Sequence, residues 1–110
     1  MNGNKYQALA ARTMNRNLDY RQTLNHAVFG IASEAGEIAG LIQKEYQGHE
    51  LDKVHLMKEC GDLLWFIAEL CTTCGYNLET VMAMNIKKLM ARYPEGFDNE
   101  RSLHRVEGDI

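Results

Sequence analysis

Residues Val28–Ile42 read VFGIASEAGEIAGLI, and the apolar positions Val28, Ile31, Ala32, Ala35, Ile38, Ala39 and Ile42 return at the 3.6-residue period of a helix. Glu34 and Glu37 interrupt that run three residues apart, so both carboxylates lie on one side of the helix, about 60° from each other. A second stretch, KECGD at Lys58–Asp62, repeats the arrangement with Glu59 and Asp62 inside another helical pattern. Two such helices side by side converge four carboxylates on a small volume, where they repel unless a cation sits among them. Oxygen donors with no partnering His or Cys suit a hard divalent ion, Mg²⁺ with Mn²⁺ as the alternative, better than zinc or iron. A di-iron carboxylate bundle would want Glu-x-x-His, but Gly40 stands three residues after Glu37 and Trp65 three after Asp62.

Outward from these stretches the chain reads as helix throughout, with one proline and few β-branched runs. A first helix is expected from Lys5 to Met14, with Leu9 and Thr13 along a weakly apolar face. The second opens near Thr23 as an N-cap and stops around Gly48. Asp52 caps the third, which continues through Leu56, Leu63, Leu64, Phe66, Ile67 and Leu70 to a Gly75 terminator. The fourth starts at Asn77 or Leu78 and ends just before Pro94, because a residue preceding proline avoids the helical region. The third helix is apolar around most of its circumference except for one strip, His55, Glu59, Asp62 and Glu69, which must face water or an ion. The expected architecture is all-α, a four-helix bundle-like protomer over residues 1–97, with 98–110 a polar and loosely held tail.

A chain of 110 residues with 45% hydrophobic content makes one domain with a thin core, and helices two and three carry more apolar circumference than a single short bundle covers, so self-association is expected. The net charge of −3 argues against binding a nucleic acid polymer. No run approaches a membrane span, and MNGNKYQALA at the N-terminus lacks a signal-peptide core, which makes a cytoplasmic location the expectation. Cys60, Cys71 and Cys74 are read as reduced thiols; Cys71 and Cys74 have CxxC spacing, but without a second such pair core packing is the better account.

The fourth helix adds the complementary charge. Asn85, Lys88 and Arg92 fall on one stripe, and an amide, an ammonium and a guanidinium in line make a clamp for phosphate oxygens. Lys44, seven residues after Glu37 on the same face, fits the same role. The alternative is that Lys88 and Arg92 are solvated cations near a helix C-terminus, where they are favourable in any case.

Taken together, Tyr6-Gln7, Arg12-Thr13, Gly30, Glu34-Ala-Gly-Glu37, Lys44, Gln47-Gly-His49, Glu59-Cys-Gly-Asp62, Trp65 and the ending Asn85-x-x-Lys88-Leu89-x-x-Arg92-Tyr93-Pro94-Glu95-Gly96-Phe97 resemble the MazG-like all-α nucleoside triphosphate pyrophosphohydrolases in their short single-domain form. The resemblance spans Tyr6 to Phe97. Ser33 stands where many relatives carry a further acid, and the second domain of the full-length namesake has no counterpart. The resemblance implies Mg²⁺-dependent hydrolysis of (deoxy)nucleoside triphosphates to the monophosphate and pyrophosphate, a reaction that serves nucleotide-pool cleansing in such enzymes. It implies a homodimer or homotetramer. It also implies that Glu34, Glu37, Glu59 and Asp62 hold the metal, with Glu37 or Glu34 directing the attacking water, and that Lys44, Asn85, Lys88 and Arg92 hold phosphates. Trp65, His26, Tyr20 and Phe29 are candidates to stack on or hydrogen-bond the base. Phosphoribosyl-ATP pyrophosphohydrolase activity and a non-enzymatic partner role on the same scaffold are the alternatives.

Overall fold

Five helices make up the regular structure of the computed structural model, which describes residues 1–110: α1 Gly3–Ala11, α2 Tyr20–Tyr46, α3 Lys53–Cys74, α4 Leu78–Arg92 and α5 Asn99–Leu103. The four long ones are those read from the sequence, and the all-α class holds.

Caps explain where each begins and ends. Asp19 and Gln22 form a reciprocal capping box, the Asp19 carboxylate accepting from the Gln22 backbone N–H at 2.8 Å and the Gln22 side-chain Oε1 from the Asp19 backbone N–H at 3.0 Å. α2 therefore opens at Tyr20, ahead of the Thr23 start expected; Thr23 instead sits buried within the first turn, its hydroxyl donating to the Asp19 carbonyl at 2.8 Å. Asp52 caps α3 as expected, accepting from the His55 N–H at 3.0 Å. Gly75 ends α3 in the left-handed region at φ 76°, letting the Tyr76 N–H return to the Cys71 carbonyl at 2.9 Å. Asn2 caps α1 through the Lys5 N–H at 2.9 Å, so that helix begins at Gly3 and stops at Ala11, short of Met14.

α2 and α3 form the principal interface. Residue pairs across it, His26 with Glu69, Gly30 with Phe66 and Glu34 with Glu59, run in opposite directions along the two helices, which makes them an antiparallel hairpin. Ala27 and Ala68 are its most completely buried apolar residues. At Gly30 the missing side chain is a packing requirement: a Cβ there would overlap the Phe66 ring, so the backbone of α2 lies directly against that ring. Gly36 and Gly40, by contrast, face open space.

α1 packs on α3, and α4 packs chiefly on α1. One residue makes that junction. Gln7 of α1, almost fully buried, donates through Nε2 to the Thr72 hydroxyl at 3.0 Å and the Tyr76 carbonyl at 2.9 Å, while its Oε1 accepts the Leu78 N–H at 2.7 Å. Asn4 adds an acceptor for the Glu79 N–H at 3.3 Å. Asn77 makes no side-chain cap of its own, so α1 supplies the acceptors that the first turn of α4 lacks.

The bundle is open on one side. Only eight of the 110 residues are buried, and the radius of gyration of 17.0 Å exceeds the roughly 13 Å of a compact chain this long. Met82, Met84, Ile86 and Met90 of α4 stand exposed, as do Val54, Met57 and Leu64 of α3. The tail departs from the loose segment expected: α5 forms, and the chain beyond it folds back so that Asp109 takes Arg92 in a bidentate pair.

Candidate functional site

The hairpin brings three of the four motif carboxylates together. Glu34, Glu59 and Asp62 each present an oxygen, and the three oxygens lie within 4.8 Å of one another. Glu34 and Glu59 are half-buried and Asp62 is exposed, so the cluster opens to solvent on one side. Glu37 is exposed one turn along α2; its charge acts on Glu34, but it stands outside the trio.

Crowding shows in the titration of these groups. The Glu34 carboxyl is pushed up to about 7, first by a hydrogen bond with Glu59, then by burial and by the charges of Glu59, Asp62 and Glu37. Glu59 is held below the ordinary carboxylate range, first as the acceptor from Glu34 and then by His55, whose Nε2 lies 3.1 Å from Glu59 Oε1. Below about pH 7 Glu34 thus keeps a proton directed at Glu59. With both acids ionised, Glu34 Oε2 is buried and has no hydrogen-bond partner. An orphaned carboxylate oxygen beside two further acids, with no nitrogen or sulfur donor in the group, fits a hard divalent cation.

An aromatic cluster lines the same hairpin toward the start of α2: Trp65 and Phe66 follow Asp62 by about one turn of α3, and His26 lies about 12 Å of helix rise from Glu34 on α2. Trp65 and Phe66 meet edge to face at 5.2 Å, and the His26 ring sits 6.3 Å from Trp65 and 5.5 Å from Phe66. His26 Nδ1 lies 2.7 Å from Glu69 Oε1. The Trp65 indole N–H is already used, donating to the Thr13 hydroxyl at 2.9 Å.

The family model of the MazG nucleotide pyrophosphohydrolase domain matches residues 22–97. The chain belongs to this family. It is also 30% identical over 83 residues to the Gene 37 protein of Mycobacterium phage L5, covering 71% of this chain and 73% of that protein. No solved structure matches the chain.

The MazG match contains α3, α4 and the acid-bearing length of α2, while α1 and the tail beyond Phe97 lie outside it. The phosphate candidates are placed unevenly. Lys44 is exposed near the end of α2, and Asn85 and Lys88 are exposed on α4. Because α4 packs on α1, none of its cations pairs with the carboxylate cluster, and the two halves of the expected site are not brought together within one chain. Arg92 is turned away into its pair with Asp109. Of the base candidates, His26 and Trp65 belong to the aromatic cluster, whereas Tyr20 and Phe29 are exposed outside it.

Three residues gained a place that the sequence reading had not given them. Glu69, read as part of the solvent-facing acidic strip, is only 2% exposed, and its Oε2 has no partner. Helical period put it on the correct stripe, but depth is set by His26, 43 residues away on the other helix. Tyr6, noted only within the family resemblance, feels the cluster's charge: its phenol is raised first by burial and then by the charge of Asp62. Asp109 carried no sequence signal at all.

Proposed function

We propose that the protein hydrolyses nucleoside triphosphates, ribo or deoxy, to the monophosphate and pyrophosphate with Mg²⁺ or Mn²⁺ bound at Glu34, Glu59 and Asp62. The observation that carries this reading is the carboxylate trio with its orphaned Glu34 oxygen, on a chain of the nucleotide pyrophosphohydrolase family. A divalent ion there supplies charge neutralisation at the phosphate oxygens of an in-line displacement.

The chain's own groups divide the remaining work. Glu37, adjacent to the trio but not part of it, is free to accept a hydrogen bond from the attacking water and orient it. Lys44, Asn85, Lys88 and Arg92 take phosphate oxygens, the guanidinium in bidentate fashion. His26 and Trp65, beside the carboxylates on the same hairpin, offer a polar ring edge and an aromatic surface for the base. Since α4 docks on α1, the cationic stripe meets a carboxylate trio only if a second copy supplies one of them, and a homodimer or homotetramer is the assembly proposed. The exposed methionines of α4 and apolar residues of α3 support the same conclusion.

The test is a panel of natural and oxidised triphosphates, with phosphoribosyl-ATP included, scored for pyrophosphate and monophosphate release in Mg²⁺ or Mn²⁺. Cleavage between the α and β phosphates is expected for at least one nucleotide, with Asp62→Asn, which removes charge but not volume, abolishing it. Folded protein that cleaves none of the panel, or an Asp62→Asn variant with full turnover, overturns the assignment.

A further inference from the structure

Arg92 is the only member of the α4 cationic stripe whose hydrogen-bonding fork is already filled. Its Nε donates to Asp109 Oδ2 at 2.8 Å and its Nη2 to Asp109 Oδ1 at 2.7 Å, with the two side chains just 8% and 10% exposed. Two parallel N–H···O bonds to two oxygens on one atom are the same geometry in which a guanidinium grips a phosphate. The chain is built to aim that carboxylate: Asp109 N–H bonds to the Val106 carbonyl at 3.1 Å, closing a turn through Gly108 at φ 88°, a conformation other residues adopt with strain. Val106 to Asp109 then form one wall of an open cavity of about 520 Å³ whose other wall is α4, with Lys87, Lys88 and Arg92 on it. Asp109 therefore sits in a cationic seat. Its carboxyl is held low first by the hydrogen bonds from Arg92 and then by the charges of Arg92, Arg105 and Lys88.

We infer that Asp109 is an internal competitor for substrate phosphate: the closed tail occupies the Arg92 fork, and the segment Val106–Asp109 swings away before a triphosphate engages that residue. The inference rests on the reading of Arg92 as a phosphate ligand. If the latch is closed in about 70–90% of molecules, apparent affinity is reduced by the open fraction, and releasing the latch lowers KM about three- to tenfold.

The experiment uses the full chain and four variants, Asp109→Asn, Gly108→Ala, Arg92→Ala and the Arg92→Ala/Asp109→Asn double, with KM for a cleaved triphosphate and calorimetric binding of tripolyphosphate as readouts. Asp109→Asn removes the competing charge, and Gly108→Ala strains the turn while keeping that charge. Both are expected to lower KM and tighten tripolyphosphate binding about three- to tenfold with kcat little changed, and Asp109→Asn is expected to have no further effect once Arg92 is alanine. Should Arg92→Ala weaken binding while Asp109→Asn does not tighten it, the latch is overturned and the phosphate role of Arg92 stands. An effect of Asp109→Asn alone, without Gly108→Ala, reduces Asp109 to a long-range charge and also overturns the latch. If Arg92→Ala changes neither readout, the phosphate reading of Arg92 fails and the latch fails with it.

Discussion

Glu34 and Glu59 hold one proton between them at a pH where a free carboxyl has none. Glu34 in the folded protein titrates near 7, above its ordinary range, so between that range and 7 the folded state binds more protons than the unfolded chain. The sign follows: this group makes the metal-free fold lose stability as pH rises through that window. Glu59 acts in the opposite sense, its lowered carboxyl contributing stability that is lost as pH falls through its folded value. A divalent cation takes the proton's place, so binding at pH 6 should release about one proton and binding at pH 8 close to none. Calorimetry in buffers of differing ionisation enthalpy counts the protons; no release at pH 6 would remove the shared proton from the account. At this scale helical period puts each carboxylate couple on one face of its helix, but it does not tell that Glu37 stands outside the trio. The depth of Glu69 and the pairing of Asp109 depend on other elements, so the sequence carries no sign of them.

Among the elements, α1 has the weakest sequence signature and a structural role out of proportion to it. Its nine residues lie outside the family match, yet Gln7 closes the α3–α4 corner with three hydrogen bonds. Gln7→Ala leaves the buried Leu78 N–H without its partner, and an unsatisfied buried group costs about 1–3 kcal/mol. The expected loss is about 1–3 kcal/mol in urea unfolding. A loss below about 0.5 kcal/mol, the range of surface substitutions, would show that water replaces the amide. Helix ends were readable where one residue decides them, as at Asp52, Gly75 and Pro94. The start of α2 was missed although its signal was present: Asp19-Tyr-Arg-Gln22 has capping-box spacing, and Thr23 simply looked like the better cap.

For the whole molecule the decisive quantity is uncovered apolar surface. A radius of gyration of 17.0 Å, eight buried residues and the exposed methionines of α4 leave an apolar face that the proposed homo-oligomer would cover. Light scattering at micromolar concentration should give a multiple of the 12.5 kDa chain mass, a dimer or tetramer. A mass of one chain would refute the assembly and leave α4 without a site to complete. The uncovered apolar surface was legible in the apolar circumference of the helices; the separation of α4 from the carboxylate trio was not, because helical period carries no information on which neighbour a helix chooses. Gly30 has a consequence of a mechanical kind. Four residues, or about 6 Å, separate it from Glu34 along one stiff rod, so the spacing of the carboxylate trio is gauged by a methyl group that is not there. A side chain at position 30 would act as a wedge one turn from Glu34, so the tolerance of the carboxylate trio is set by a residue that is not one of the three.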